Sequence, residues 1–163
     1  MKNILMTAML SVFVFAFTCA AQNKQTGDLS RSAVAFERYE SYFEKNNSGL
    51  KGEKSYLAVG SQKRFDGIFG AAATMDDNNF LPDDAFKSKI IVATIKRGSL
   101  RKYEDVKITA EKGKLIVSYK VKDDALSSAT FSSPLILAVA QGKYKEVVFM
   151  ENGKRVGKAK LEN

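Results

Sequence analysis

Residues Ile90 to Ile95 read Ile-Ile-Val-Ala-Thr-Ile. A near-continuous apolar run of this kind is expected of a strand covered on both faces, because alternation disappears when neither face meets water. Any fold for this chain must therefore cover that strand on both sides. Leu135 to Val139 is a second core run, and Pro134 before it reads as an edge mark. Between the two runs the pattern changes. Val106, Ile108 and Ala110 alternate with Lys107, Thr109 and Glu111, Lys112-Gly113 turns the chain, and Leu115, Val117, Tyr119 and Val121 alternate with Ser118, Lys120 and Lys122. That is a hairpin with one wet face. Gln141-Gly142 leads into a strand over Tyr144 to Met150, and Asn152-Gly153 is the strongest short hairpin signal in the chain. Arg155 to Lys160 then makes a basic last strand suited to an exposed edge.

The first half is less regular. Lys54 to Val59 reads as a strand closed by Gly60. Ser61 is placed to cap a helix over Gln62 to Phe69, with Phe65, Ile68 and Phe69 on one face and Gly70 as its stop. Residues 35–45 fit both periods, and their aromatic content favours strand. Ala71 to Asp84 is the longest irregular piece. About six to eight strands with one short helix predict a mainly β chain with minor α+β character, an antiparallel β-sandwich or a partly open barrel. Residues 32–163 carry no Pro/Gly/Ser-rich break and form a single domain.

The N-terminus has the order of an export signal. Met1-Lys2 precedes an apolar run from Ile4 to Phe17, and the small residues Cys19, Ala20 and Ala21 follow. That run is shorter than the ~20 residues a transmembrane helix needs. Residues 1–21 are thus expected to be removed as a signal peptide, and the polar residues 22–31 to form a flexible tether. Cys19 also stands where a lipidated cysteine would, although Ala16 and Thr18 depart from the usual flanks of that motif, and cleavage after Ala21 is the preferred reading. The expected location is periplasmic or secreted, or membrane-anchored through Cys19.

Among its 163 residues the chain has no His, no Trp and one Cys. Imidazole-based triads, imidazole metal ligands, a zinc knuckle and an internal disulfide are excluded on that ground. No cofactor is implied. Lys and Arg number 26 against 18 Asp and Glu, a net +8. Export speaks against nucleic acid, so the expected partner is a protein or an acidic envelope component. The densest cationic stretch is Lys96, Arg97, Arg101 and Lys102 beside Tyr103, where a core strand ends, and it is the candidate binding site. Lys143, Lys145, Lys154, Arg155, Lys158 and Lys160 would extend it if their strands lie alongside. Asp76, Asp77, Asp83 and Asp84 offer oxygen ligands for a hard cation such as calcium, yet they lack the spacing of an EF-hand loop and serve equally as turn residues.

Ser61-Gln62 before Phe65 and Ile68-Phe69-Gly70, then Phe86 before Ile90 to Ala93, the Leu115 to Val117 hairpin and the Pro134-Leu135-Ile136 strand form an order of elements over residues 36–150. It resembles that of small exported β-rich proteins of Gram-negative bacteria and, more distantly, the C-terminal domain of protease-complex stabilising subunits. The resemblance implies a β-rich binding domain without a known catalytic centre. From the residues, the first expectation is a non-enzymatic exported interaction module at the bacterial cell envelope. The second is a cationic binder of acidic envelope polymer or a membrane surface, and a small carboxylate-based hydrolase ranks last.

Overall fold

The computed structural model describes residues 31–72, 79–98, 101–123 and 132–162. Two five-stranded sheets lie face to face. Sheet A runs, in order, β1 (Arg31–Ala33), β7 (Arg101–Glu111), β8 (Lys114–Asp123), β10 (Glu146–Glu151) and β11 (Lys154–Ala159). Sheet B runs β12 (Leu161–Glu162), β4 (Lys54–Val59), β6 (Lys89–Arg97), β9 (Ser132–Ala140) and β2 (Phe36–Tyr39). Helix α1 (Gln62–Ile68), the two-stranded pair β3 (Tyr42–Glu44) and β5 (Phe69–Ala71), and a 3-10 turn at Ala85–Lys87 complete the described elements. The sheets are not closed into a barrel, so of the two expected architectures the sandwich-like one holds.

The apolar run is where the sequence places it, on β6 in the middle of sheet B. Ile91, Ala93 and Ile95 pack with Phe65, Ile68 and Phe69 of the helical layer. Ile90 and Val92 face the other way, into a second core with Ile108, Leu115, Val117 and Phe149 of sheet A. Three layers result, and sheet B is the one buried on both faces. Side chains such as Phe65, Phe69 and Phe149 are buried almost completely, each stabilising the fold by roughly 1.5–3 kcal/mol relative to exposure.

Both expected hairpins form. In the β7–β8 turn Lys112 and Gly113 have φ of 48° and 75°, and in the β10–β11 turn Asn152 and Gly153 have 50° and 77°. Two successive positive φ values match the right-handed twist of the flanking strands, which is why a two-residue turn ending in glycine is used. Residues 35–45 resolve into two short strands, β2 and β3. β11 is the basic outer strand of sheet A, as its lysines predict.

Other expectations need correction. The strand count is higher, twelve among the described residues, because several strands have only two to four residues. α1 stops at Ile68, and Gly70 is not its cap but a residue of β5 paired with Phe43. Ser61 is extended and its side chain makes no capping hydrogen bond; its carbonyl accepts the Phe65 N–H at 3.1 Å. Pro134 does not mark an edge strand. β9 lies between β6 and β2, but β2 ends opposite Ile136, so at Pro134 the strand is paired with β6 alone, a locally one-sided position of the kind that tolerates proline. Arg31 belongs to β1 rather than to the tether; the rest of the tether and the export signal, with Cys19, lie outside the described residues. Two pairs are parallel, β8 with β10 and β4 with β12. After β11 the chain crosses to sheet B as β12, and β11 closes against β4 through Gly157, where an added Cβ would lie 2.2 Å from a ring carbon of Tyr56.

Candidate functional site

The candidate cations flank the point where β6 ends in sheet B and β7 begins in sheet A, so strand periodicity decides which way each one points. Lys96 continues the face of Ile90, Val92 and Thr94 and turns inward between the sheets. Its Nζ donates to Glu151 Oε1 at 2.7 Å, with side-chain exposures of 6% and 12%, and Lys54 Nζ lies 4.0 Å from the same oxygen. Thr94 is fully buried beside it. The hydroxyls of Tyr56, Thr94 and Tyr119 and the second Glu151 oxygen are buried without a protein hydrogen-bond partner, although Thr94 and Glu151 are neighbours of the Tyr119 hydroxyl. Tyr103 is buried too, its ring edge-on to Tyr119 at 5.6 Å. Burial, and then the Glu151 charge, push the Tyr56 phenol up from its ordinary range. Burial also comes first in raising Tyr103 and Tyr119, with Glu151 adding to both. These phenols therefore keep their protons at neutral pH.

Arg97 turns to the other side and ties β6 to the end of β3. Its Nε donates to Glu44 Oε2 at 2.8 Å, its second terminal nitrogen to Glu44 Oε1, and its first to the Gly52 carbonyl at 2.7 Å. Ser48 Oγ donates to the same carboxylate at 2.9 Å. This two-pronged pairing is the strong form of an Arg–carboxylate contact. A polar hollow of about 270 Å³ opens beside it, lined by Lys45, Asn46, Leu50 and Ser132. Thus Lys96, Arg97 and Tyr103 are held within the fold, Arg101 is half-buried, and only Lys102 of the five candidates is exposed. The sequence reading expects a cationic surface here, but most of these residues point into the fold. It also misses Glu44, Thr94, Tyr119 and Glu151. One signal was available, since Thr94 and Lys96 are polar at alternate positions of a strand whose matching residues are core.

Of the six further cations, Arg155 and Lys158 share the outward face of sheet A with Lys102, whereas Lys96, Arg97 and Tyr103 lie within the fold and take no part in that face. Lys154 and Arg155 follow Glu151 at the same end of the sandwich, whereas Lys145 donates its N–H to the Gly113 carbonyl and Lys158 reaches Glu146, both at the opposite end. Between the ends lies the outward face of sheet A, where the register aligns three cross-strand rows. Arg31, Glu111, Lys114 and Glu146 form the first, Ala33, Thr109, Ile116, Val148 and Lys158 the second, and Lys107, Ser118, Met150 and Arg155 the third. Ile116, Val148 and Met150 floor a depression of about 340 Å³ rimmed by Arg31, Glu111, Lys112 and Lys114. Lys102, Lys120 and Lys122 continue the face along β7 and β8. Acidic neighbours offset part of this charge. Arg31 pairs with Glu111 at 2.7 Å, Lys120 with Asp105 at 2.7 Å, Lys122 with Glu104 at 2.8 Å, and Lys114 and Lys158 share Glu146 at 3.4 and 3.6 Å. Burial works to raise the Glu146 carboxyl, but its two lysines hold it below the usual range.

Asp83 and Asp84 are exposed, just ahead of the 3-10 turn, while Asp76 and Asp77 lie outside the described residues. Among the described residues no group of three acidic, His or Cys side chains is placed to hold a metal ion, and no helix is long and apolar enough to cross a membrane. Comparison with protein-family models, with curated proteins and with solved structures finds no match for this chain.

Proposed function

We propose that this protein is a non-enzymatic binding module, exported to the bacterial cell envelope, that works through the outward face of sheet A. The observation that carries this reading is the layering. Both faces of sheet B and the inner face of sheet A are filled by core, which leaves one broad sheet face in contact with solvent, and that face holds an apolar floor among cations. Contiguous apolar side chains within a polar rim are a mark of interaction surfaces. The internal polar groups support the same reading. Glu44 and Glu151, both where β6 ends, are each tied to a cation, and the buried phenols beside Glu151 hold their protons.

The test is retention of envelope material by residues 22–163 immobilised on a support, compared with Met150→Glu and with Lys63→Glu on the opposite side. Retention that Met150→Glu abolishes, at an unchanged melting temperature, and that Lys63→Glu leaves intact is the expected result. Equal retention by all three proteins refutes the reading. So does turnover of a defined compound that stops on Glu151→Gln.

A further inference from the structure

Resting on the reading that the outward face of sheet A is the working surface, we propose that its counterpart is an anionic lipid bilayer, met broadside by the sheet. Three observations converge on this. The cations of the face are mostly lysines, spread along strands rather than gathered around one point. Lys102, Lys107, Lys120 and Lys122 stand on β7 and β8, and Lys158 on β11. An ammonium on a long stem is a point charge suited to a diffuse anionic surface, whereas a discrete carboxylate or phosphate is better matched by an arginine fork.

The charge is also polarised across the molecule. On the helical side Lys45, Lys63, Arg64 and Lys87 share the surface with Asp66, Asp83 and Asp84, so the field there is mixed, whereas the strands of sheet A carry ten Lys and Arg against six Asp and Glu. A charge distribution of this kind turns the molecule as it approaches a negative surface. Finally, the cations surround carbon. The half-buried Ile116 and Met150, over the buried Val148, present apolar area between the charges together with the lysine stems. A bilayer supplies both anionic headgroups and hydrocarbon at their boundary, while an acidic polysaccharide supplies only the charge.

The experiment is co-flotation of residues 22–163, which contain every described element, with vesicles of phosphatidylcholine alone or mixed with phosphatidylglycerol, at low and high salt. A parallel arm measures binding to soluble polyglutamate. Two charge-matched variants are compared, Lys107→Glu/Lys122→Glu/Lys158→Glu on the proposed face and Lys51→Glu/Lys63→Glu/Lys87→Glu elsewhere, with Met150→Ser as a third. Thermal melts confirm that each is folded. Binding should require phosphatidylglycerol and weaken with salt. It should fall on the order of a hundredfold in the first triple variant and change less than about threefold in the second. Met150→Ser should weaken vesicle binding and leave polyglutamate binding alone. Equal losses in both triple variants, or none in either, overturn the proposal. Polyglutamate binding without vesicle binding also overturns the lipid assignment, while the proposed function stands as long as envelope retention still depends on Met150.

Discussion

Lys96 shows how much one residue's meaning depends on the strand beneath it. In sequence it is one of a cluster of cations; in the fold it is a charge between two sheets, neutralised by Glu151 at 2.7 Å. Removing one partner of such a pair strands the other, whereas replacing both with apolar residues removes two desolvation penalties together. Lys96→Met should therefore cost about 3–5 kcal/mol, and Lys96→Met combined with Glu151→Leu should return to near wild-type stability, as measured by urea unfolding. A double variant as unstable as the single one would mean that the pair's surroundings, including Thr94 and Tyr119, require the charges. Arg97 makes a different case. Arg97→Lys keeps the charge but loses the fork to Glu44 and the bond to the Gly52 carbonyl, and should cost roughly 1.5–3 kcal/mol in the same assay. The residue types at this end were legible in the sequence. Their partners were not, because Glu151 lies 55 residues from Lys96 and Glu44 lies 53 from Arg97.

At the scale of elements, what is local was legible. The β7–β8 and β10–β11 hairpins carry their turn chemistry within two residues, and the β6 run carries its own burial pattern. What depends on a distant partner was not. Gly70 resembles a helix stop until β3 is seen to pair with it, and Pro134 resembles part of an edge strand until β9 is seen to lie between β6 and β2, the latter stopping two positions short of it. Gly157 carries no local signal at all. It lies in a basic strand with no turn to make, and its requirement comes from the Tyr56 ring on β4. Gly157→Ala should destabilise by about 1–3 kcal/mol, through a clash with a ring that is itself packed on Phe149 at 5.1 Å. In a Tyr56→Ala background the same substitution should cost little. The coupling in that double-mutant cycle measures how firmly β11 is closed against sheet B. Additive costs would place the strain in the β11 backbone instead.

For the whole molecule, the decisive arrangement is the parallel pairing of β8 with β10, which sets Ile116 beside Val148 and Ser118 beside Met150. Alternation in sequence identifies the outward residues of each strand, but β9 intervenes in the chain and belongs to the other sheet, so the rows that make a surface emerge only from topology. The same layering places tyrosines between the sheets and on both sides of sheet B, and this gives the fold an alkaline limit. Burial comes first and Glu37 second in raising Tyr39 to about 12, and burial also leads in raising Tyr56, Tyr103 and Tyr119. A phenol whose folded value lies above its unfolded value of about 10 contributes stability that is complete below pH ~10 and is lost as pH rises toward the folded value. Tyrosinate absorbance from these residues should therefore appear together with loss of β-sheet circular dichroism, in one cooperative step, rather than ahead of it. Tyr119→Phe removes one of the groups that must ionise and should move that step to higher pH. Smooth titration of these phenols near 10 with the sheet signal intact would mean that water reaches the space between the sheets, and the inner face of sheet A could then no longer be counted as closed core.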